Sequence, residues 1–331
     1  MQVPTRLLGC GDERLLSFYY RCVQFLPHPA KQQTGGEDAF LSLVGVQAVL
    51  DGVSWWKTNR SVDAGLYSAA LAKAMHSYVE EDLFGENPAS SLEVMQHAYN
   101  ACMLEEIEGT ATALVATLQE PRSGELPSLQ PVDGYKNCIL DVCSVGDCTA
   151  MVLRHGRIVF VSDEQTHDLD FPYQLGKGSS DTPERALNYR VPVEVGDMLL
   201  LGSDGVFDNL YPHRVAELVW TPVRAVHMKH MRGAPFAPRP RGGVELFEDM
   251  MHAIASGSED VMREARGAAR DIRTDTPYAH KAVAGGAYYE GGKQDDMTLL
   301  VSVIDDASDA SLGERLIRGA ALNPYPYRDW P

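Results

Sequence analysis

No stretch of the 331-residue chain approaches the roughly 18 consecutive apolar residues of a membrane-spanning helix, so no transmembrane segment is expected. Basic residues are also scarce, with 29 Lys and Arg against 46 Asp and Glu and a formal charge of −17. That balance speaks against nucleic acid or an anionic membrane as a partner, because both need clustered cations. Among the six cysteines (Cys10, Cys22, Cys102, Cys138, Cys143, Cys148) there is no Cys-x-x-Cys pair and no zinc-finger spacing to a histidine. They read as reduced, buried thiols. His227 and His230, in a basic and proline-broken stretch, read as solvated side chains rather than metal ligands. A Gly-x-Ser-x-Gly elbow, a His-Glu-x-x-His zinc motif and a P-loop are all missing, so no familiar nucleophile or nucleotide motif competes for the chemistry. The first 11 residues hold no signal-peptide core, and Asp12-Glu13 follow at once. Arg6, Arg14 and Arg21 among apolar residues would suit a mitochondrial leader, but those two acids count against one. A soluble intracellular protein, cytoplasmic or mitochondrial, is expected.

What is present is an ordinary globular balance, 44% apolar and 23% charged. Residues 39–50 read as one or two strands ending at Asp51-Gly52, and residues 109–118 as another. Residues 138–145, 149–154 and 157–162 read as strands, the last two joined as a hairpin by His155-Gly156. Further strands are expected at 197–202 and 297–304. Residues 63–84 and 88–107 carry helical spacing, the second with Asn87 as N-cap and Pro88 in its first turn. A short helix is expected at 212–220 and a longer one at 244–270. Residues 221–243, with four prolines, five Lys and Arg and no acid, read as a basic loop. Strands in runs, with paired helices between them, point to antiparallel sheets flanked by helices, an α+β arrangement.

Five acidic clusters sit at strand edges: Gly36-Glu37-Asp38, Leu50-Asp51-Gly52, Gly146-Asp147, Ser203-Asp204-Gly205 and Gln294-Asp295-Asp296. Each alone reads as a turn or a solvated corner. Together they suit a hard divalent cation, which takes carboxylate and carbonyl oxygens and retains several waters. A glycine after the aspartate lets the backbone carbonyl approach as an extra ligand. Two such ions can polarise a phosphoryl group and turn water into a nucleophile near neutral pH.

Order and context add a family. Glu37-Asp38, Asp51-Gly52, Gly109-Thr-Ala-Thr-Ala, Val145-Gly146-Asp147-Cys148, Ser203-Asp204-Gly205-Val-Phe-Asp208-Asn209 and Asp295-Asp296-Met-Thr298 resemble the metal-dependent type 2C protein serine/threonine phosphatases across residues 37–304. Ser162-Asp-Glu-Gln-Thr-His167 and Gly291-Gly-Lys-Gln-Asp-Asp296 are similar to the branch related to the T-cell-activation phosphatase and its fungal homologues. The resemblance implies a central antiparallel β-sandwich, helices on both outer faces and a dinuclear metal cleft at one end. Residues 1–35 are expected as an N-terminal extension, 36–305 as the phosphatase domain and 306–331 as a C-terminal tail, whose end, Asn323–Pro331, reads as either a partner peptide or a strap over the domain. The resemblance implies two Mg2+ or Mn2+ ions, with Asp51 bridging them, Glu37 and the Gly52 carbonyl on one, Asp204 and Asp295 on the other. Asp38 would ligate through water, Asp147 would hold a weaker third ion, and Asp208 would only support the ligands.

Two residues of the better-known members are missing. Their phosphate-clamping arginine before the Glu-Asp pair is replaced by a stretch whose nearest cation is Lys31. Their histidine after Asp-Gly, proposed as general acid, is replaced by Val53-Ser-Trp-Trp. Lys31, Lys57 and His167 are candidates for those duties, each with an equally ordinary surface or structural reading. The expected activity is Mg2+- or Mn2+-dependent hydrolysis of phosphoserine and phosphothreonine in proteins, Asp51 and Asp204 acting through metal-activated water. A monomer is expected, its phosphoprotein substrate docked by Arg224, Lys229, Arg232, Arg239 and Arg241. A pseudophosphatase that binds partners and a hydrolase of small phosphoesters are the alternatives.

Overall fold

The structure, a computed structural model, describes residues 16–53, 63–82, 89–122, 125, 138–230, 244–306 and 321–322. The strands in chain order are β1 (Leu16–Leu26), β2 (Ala39–Ser42), β3 (Val46–Leu50), β4 (Thr110–Ala111), β5 (Ala113–Gln119), β6 (Cys138–Val145), β7 (Thr149–Arg154) and β8 (Arg157–Val161). They continue with β9 (Thr166–Asp168), β10 (Phe171–Pro172), β11 (Leu175–Gly176), β12 (Leu187–Val193), β13 (Met198–Gly202), β14 (Met297–Asp306) and β15 (Ala321–Leu322). The helices are α1 (Ala64–Asp82), α2 (Ser91–Leu104), α3 (Asp204–Phe207), α4 (Pro212–His230), α5 (Val244–Ala268) and α6 (Pro277–Ala284). One sheet runs β1-β14-β13-β7-β8 and the other β12-β6-β5-β3-β2-β15, with antiparallel neighbours throughout.

Side chains alternate across each strand, and here both faces of the central strands are covered. Leu199 and Leu201 of β13 point with Leu300 of β14 into the layer between the sheets, where they meet Val49, Leu114 and Val142 from the other sheet. Met198, Leu200, Leu299 and Val301 face the opposite way and pack under α4 and α5. Val46, Ala48, Val115 and Cys143 pack under α1 and α2. The result is four layers, helix–sheet–sheet–helix. Continuous apolar strands such as MLLLG reflect burial on both faces. The expected α+β sandwich flanked by helices is the fold observed. Among the described residues, no helix is long and apolar enough to cross a membrane.

Several expected boundaries move. The extension expected before residue 36 contains β1, which pairs with β14 from Leu16↔Asp306 to Leu26↔Met297. Aromatic and polar residues mix along this outer strand, which blurs its period. Residues 221–230, expected in a loop, continue α4 through Pro222. Val215, Val219 and Val223 form a buried stripe on that helix, and Val226 packs against the same core, which offsets the one hydrogen bond that proline removes. Residues 231–243, with Arg232, Arg239 and Arg241, lie outside the described residues. Helix α2 is capped by Ser90, whose hydroxyl accepts from Glu93 N while its own N–H reaches the Glu93 carboxylate at 2.8 Å. Asn87 and Pro88 lie outside the described residues. In the expected tail, Ala321 and Leu322 pair with Ser42 and Leu41 at the edge of the second sheet. Cys102, Cys143 and Cys148 are buried as expected, Cys22 and Cys138 are only half-buried, and Cys10 lies outside the described residues.

Candidate metal centre

Five strand ends deliver the acids to one end of the sandwich. Asp38 immediately precedes β2 and Asp51 immediately follows β3, and the pairing Ala39↔Leu50 puts them at the same edge. Asp147 lies in the turn between β6 and β7, Asp204 opens α3 just beyond β13, and Asp295 and Asp296 lead into β14. The pairing Gly202↔Leu299 sets those last two segments side by side. Gly52 follows Asp51 because nothing larger fits: a Cβ there would sit 2.6 Å from the Glu37 carbonyl and 2.9 Å from that of Ala64.

The side chains are held in two ways. Some are anchored. The Asp296 carboxylate accepts from His28 N at 2.6 Å, from Glu37 N at 2.8 Å and from Lys31 Nζ at 3.1 Å. Asp38 Oδ2 accepts from Ser203 Oγ at 2.8 Å and from Thr298 Oγ1 at 2.7 Å. Others present oxygens with nothing to bind. Asp38 Oδ1, Asp147 Oδ1 and Asp204 Oδ1 are buried and have no hydrogen-bond partner. Such atoms are costly unless a ligand meets them.

Electrostatics give the same picture. Burial, then Asp38, Asp204, Asp295 and Asp147 nearby, push Asp51 well above the ordinary carboxylate range. Burial and Asp296 do the same to Asp38, and burial and Asp204 to Asp147. Asp295 is pushed up to about 7, chiefly by burial and by Asp204. Asp204 alone among these is lowered: against the cost of burial, Lys293 beside it and a hydrogen bond from Asp51 favour its anion. So many carboxylates converging, three with orphaned oxygens, form an oxygen-rich, over-negative pocket. Hard divalent cations fit that donor set.

Of the other residues singled out in the sequence, Lys31 is brought into the centre, its Nζ 2.6 Å from Glu37 Oε2 and 3.8 Å from Asp295 Oδ1. Lys57 lies outside the described residues. His167 stacks on Tyr173 and meets Asp181 Oδ2 at 2.8 Å on the small β9–β10 hairpin, a structural pairing. His230 is not solvated as expected; it joins Lys229 on Asp249 at the end of α4. Lys229, expected to dock substrate, is thereby committed to Asp249 and Glu245.

Lys293 was not singled out as a site residue. Its Nζ lies 2.8 Å from Asp204 Oδ2 and 3.2 Å from Asp208 Oδ2. Lys281 closes the far side of Asp208 at 2.9 Å. A signal for Lys293 did exist, because on an extended approach to β14 residues two apart share a side, which couples Lys293 to Asp295. No comparable signal exists for Lys281, which arrives on α6.

No protein-family model matches the chain. "Probable protein phosphatase 2C 80" of Arabidopsis thaliana is 31% identical over 304 residues, covering 91% of this chain and 61% of its own length. "Probable protein phosphatase 2C 26" of the same plant is 30% identical over 297 residues, covering 85% of this chain and 82% of its own. The chain thus spans 61% of the first of these relatives, and it spans 50% of another from that plant, "Probable protein phosphatase 2C 55". Among solved structures, the photosystem II phosphatase PBCP superposes with a TM-score of 0.63 at 26% identity, covering 86% of this chain and 97% of that one. The catalytic domain of the serine/threonine phosphatase PstP, solved with two manganese ions, has a TM-score of 0.52 at 13% identity, covering 88% and 100%, and shares the fold.

Proposed function

Because the chain belongs to the protein phosphatase 2C family, we propose that its carboxylate cluster binds Mg2+ or Mn2+ and that it hydrolyses phosphoserine and phosphothreonine in proteins. The observation that carries this reading is the convergence of Asp38, Asp51, Asp147, Asp204 and Asp295, with a buried oxygen on each of Asp38, Asp147 and Asp204 that nothing among the described residues satisfies. Asp51, which feels Asp38, Asp204, Asp295 and Asp147 at once, would hold such ions together with Glu37, the Gly52 carbonyl, Asp204 and Asp295. Two ions held there supply Lewis acidity toward a phosphoryl oxygen and lower the pKa of water.

The remaining residues orient and neutralise. Asp296, tied to two backbone amides and Lys31, fixes the loop that carries Glu37. Asp38, clamped through Oδ2 by Ser203 and Thr298, leaves its buried Oδ1 as an acceptor that a bound ion's water would meet. Lys31 is the cation nearest the Glu37 side, with a side chain 14% exposed. It is the residue assigned to meet the phosphate of the substrate. His167 and Lys229, paired with Asp181 and Asp249, acids that are not members of the carboxylate cluster, receive no part.

The test is hydrolysis of p-nitrophenyl phosphate and a phosphothreonine peptide by metal-stripped protein, with Mn2+ or Mg2+ restored. Turnover is expected only with metal. Asp204→Asn is expected to lower it at least about 100-fold, the upper end of what losing a mere supporting partner of a metal site costs. Turnover on the small ester but not the peptide would redirect the reading to small phosphoesters. No turnover from a folded protein with either metal would overturn the enzymatic reading.

A further inference from the structure

An ammonium group has three N–H donors and no acceptor. That of Lys293 meets three carboxylates within hydrogen-bonding range: Asp204 Oδ2 at 2.8 Å, Asp208 Oδ2 at 3.2 Å and Asp170 Oδ1 at 3.2 Å. Asp295 Oδ2 follows at 3.8 Å, and the Tyr278 ring lies beneath at 5.1 Å, presenting its negative face. The backbone that delivers the side chain is fixed. Asn209 Oδ1 accepts from Lys293 N at 3.0 Å, and Asn209 Nδ2 donates to Lys293 O and to Gly205 O, both at 2.8 Å. The same amide thus ties Lys293 to the helix that begins with Asp204. The third acid, Asp170, comes from the turn of the β9–β10 hairpin, where it has a left-handed φ of 56° and accepts the Tyr278 hydroxyl. Asp208 is shared with Lys281, which also reaches Glu164 at 2.7 Å. Asp147, whose Oδ1 has no partner, faces the same field, with Lys293 opposing the repulsion from Asp204 and Asp208.

From this arrangement we propose that Lys293 is a covalently attached cation of the centre. Its ammonium takes the Asp204–Asp208–Asp170 side that a further divalent ion would otherwise take, so the chain binds two divalent ions and not three. The inference rests on the metal-centre reading above. It replaces the weaker third ion expected beside Asp147 with a residue of the chain itself. A lysine cannot be diluted away or chelated, so this side keeps a positive charge among its carboxylates at any metal concentration. It also joins the hairpin carrying Asp170 to Asp204 whether or not metal is present.

The test is metal stoichiometry, read without catalysis. Metal-stripped protein is titrated with Mn2+ by calorimetry, and the bound metal is counted by elemental analysis after desalting. Wild type is expected to saturate at two equivalents, with no further heat into the millimolar range. Lys293→Met, which keeps the length and removes the charge, is expected to take a third equivalent. Lys293→Arg is expected to stay at two. A third equivalent on wild type overturns the inference without recourse to any variant. A folded Lys293→Met protein that binds two ions with unchanged affinities overturns it as well, while leaving the dinuclear reading intact. Absence of Mn2+ binding by wild type overturns both.

Discussion

The Asp296 carboxylate takes two backbone amides and an ammonium, while its neighbour Asp295 accepts the Asp296 N–H at 2.8 Å and has Lys31 and Lys293 no nearer than 3.8 Å. Side-chain alternation separates these adjacent acids into an anchor and a ligand candidate. The order of the two was legible only through the family resemblance, because the residues themselves read as an acid pair. The carboxylates as a set were legible because each stands where an apolar strand stops. The lysines were not, because a lysine in a sequence reads as surface until its neighbours are known. Asp295 also makes the metal-free protein sensitive to pH. It titrates near 7 when folded and, as a reference carboxylate, near 3.8 when unfolded, so the folded state holds the extra proton between those values. The stability this contributes is present below about pH 4 and is lost as pH rises through 7. In EDTA, the melting temperature is therefore expected to fall between pH 5 and 8. Divalent ions are expected to remove that fall. A flat or rising profile in EDTA would contradict the assigned environment of Asp295.

At the scale of elements, most of the strands and the long helices stand where hydrophobic spacing puts them, from β6, β7 and β8 to α5. The misses have physical causes. Strands β9 to β11 are two or three residues long, too short for any period to show. Helix α4 runs past Pro222 because tertiary burial of Val219 and Val223 outweighs a local rule. That helix crosses α5 closely at Gly257, where a Cβ would lie 2.9 Å from Val219 Cα and 3.0 Å from the Leu218 carbonyl. The Leu218 carbonyl is also the one that residue 222, being proline, cannot satisfy from within the helix. Gly257→Ala is expected to push the two helices apart and cost about 1–3 kcal/mol in urea unfolding, the usual range for overpacking. Equal or greater stability would show that the crossing yields, since alanine otherwise favours a helix.

For the whole molecule, the sandwich itself followed from the family resemblance and not from spacing, because period-two strands say nothing about which sheet they join. What the structure adds is the division of labour between the sheets. Asp38 and Asp51 belong to the sheet of β2 and β3, whereas Asp204 and Asp295 belong to the sheet of β13 and β14. The core between the sheets is mostly apolar, with a buried hydrogen bond from Ser302 to Gln47 and those from Ser203 and Thr298 to Asp38 crossing it. At one end, like charges from both sheets face each other. Mn2+ is expected to slow amide hydrogen exchange at residues 38–39, 50–52, 203–205 and 297–299, and to leave Met198 and Val303 at the far end nearly unchanged. Uniform protection, or none, would show that the ions do not join the sheets.

Under the proposed metal binding, divalent ions would act as a clasp across an edge that the chain itself ties through Asp38, Ser203 and Thr298. Withdrawing the ions would then loosen the two sheets first where their acids repel. The lifetime of the folded chain, and not only its turnover, would depend on the supply of those ions.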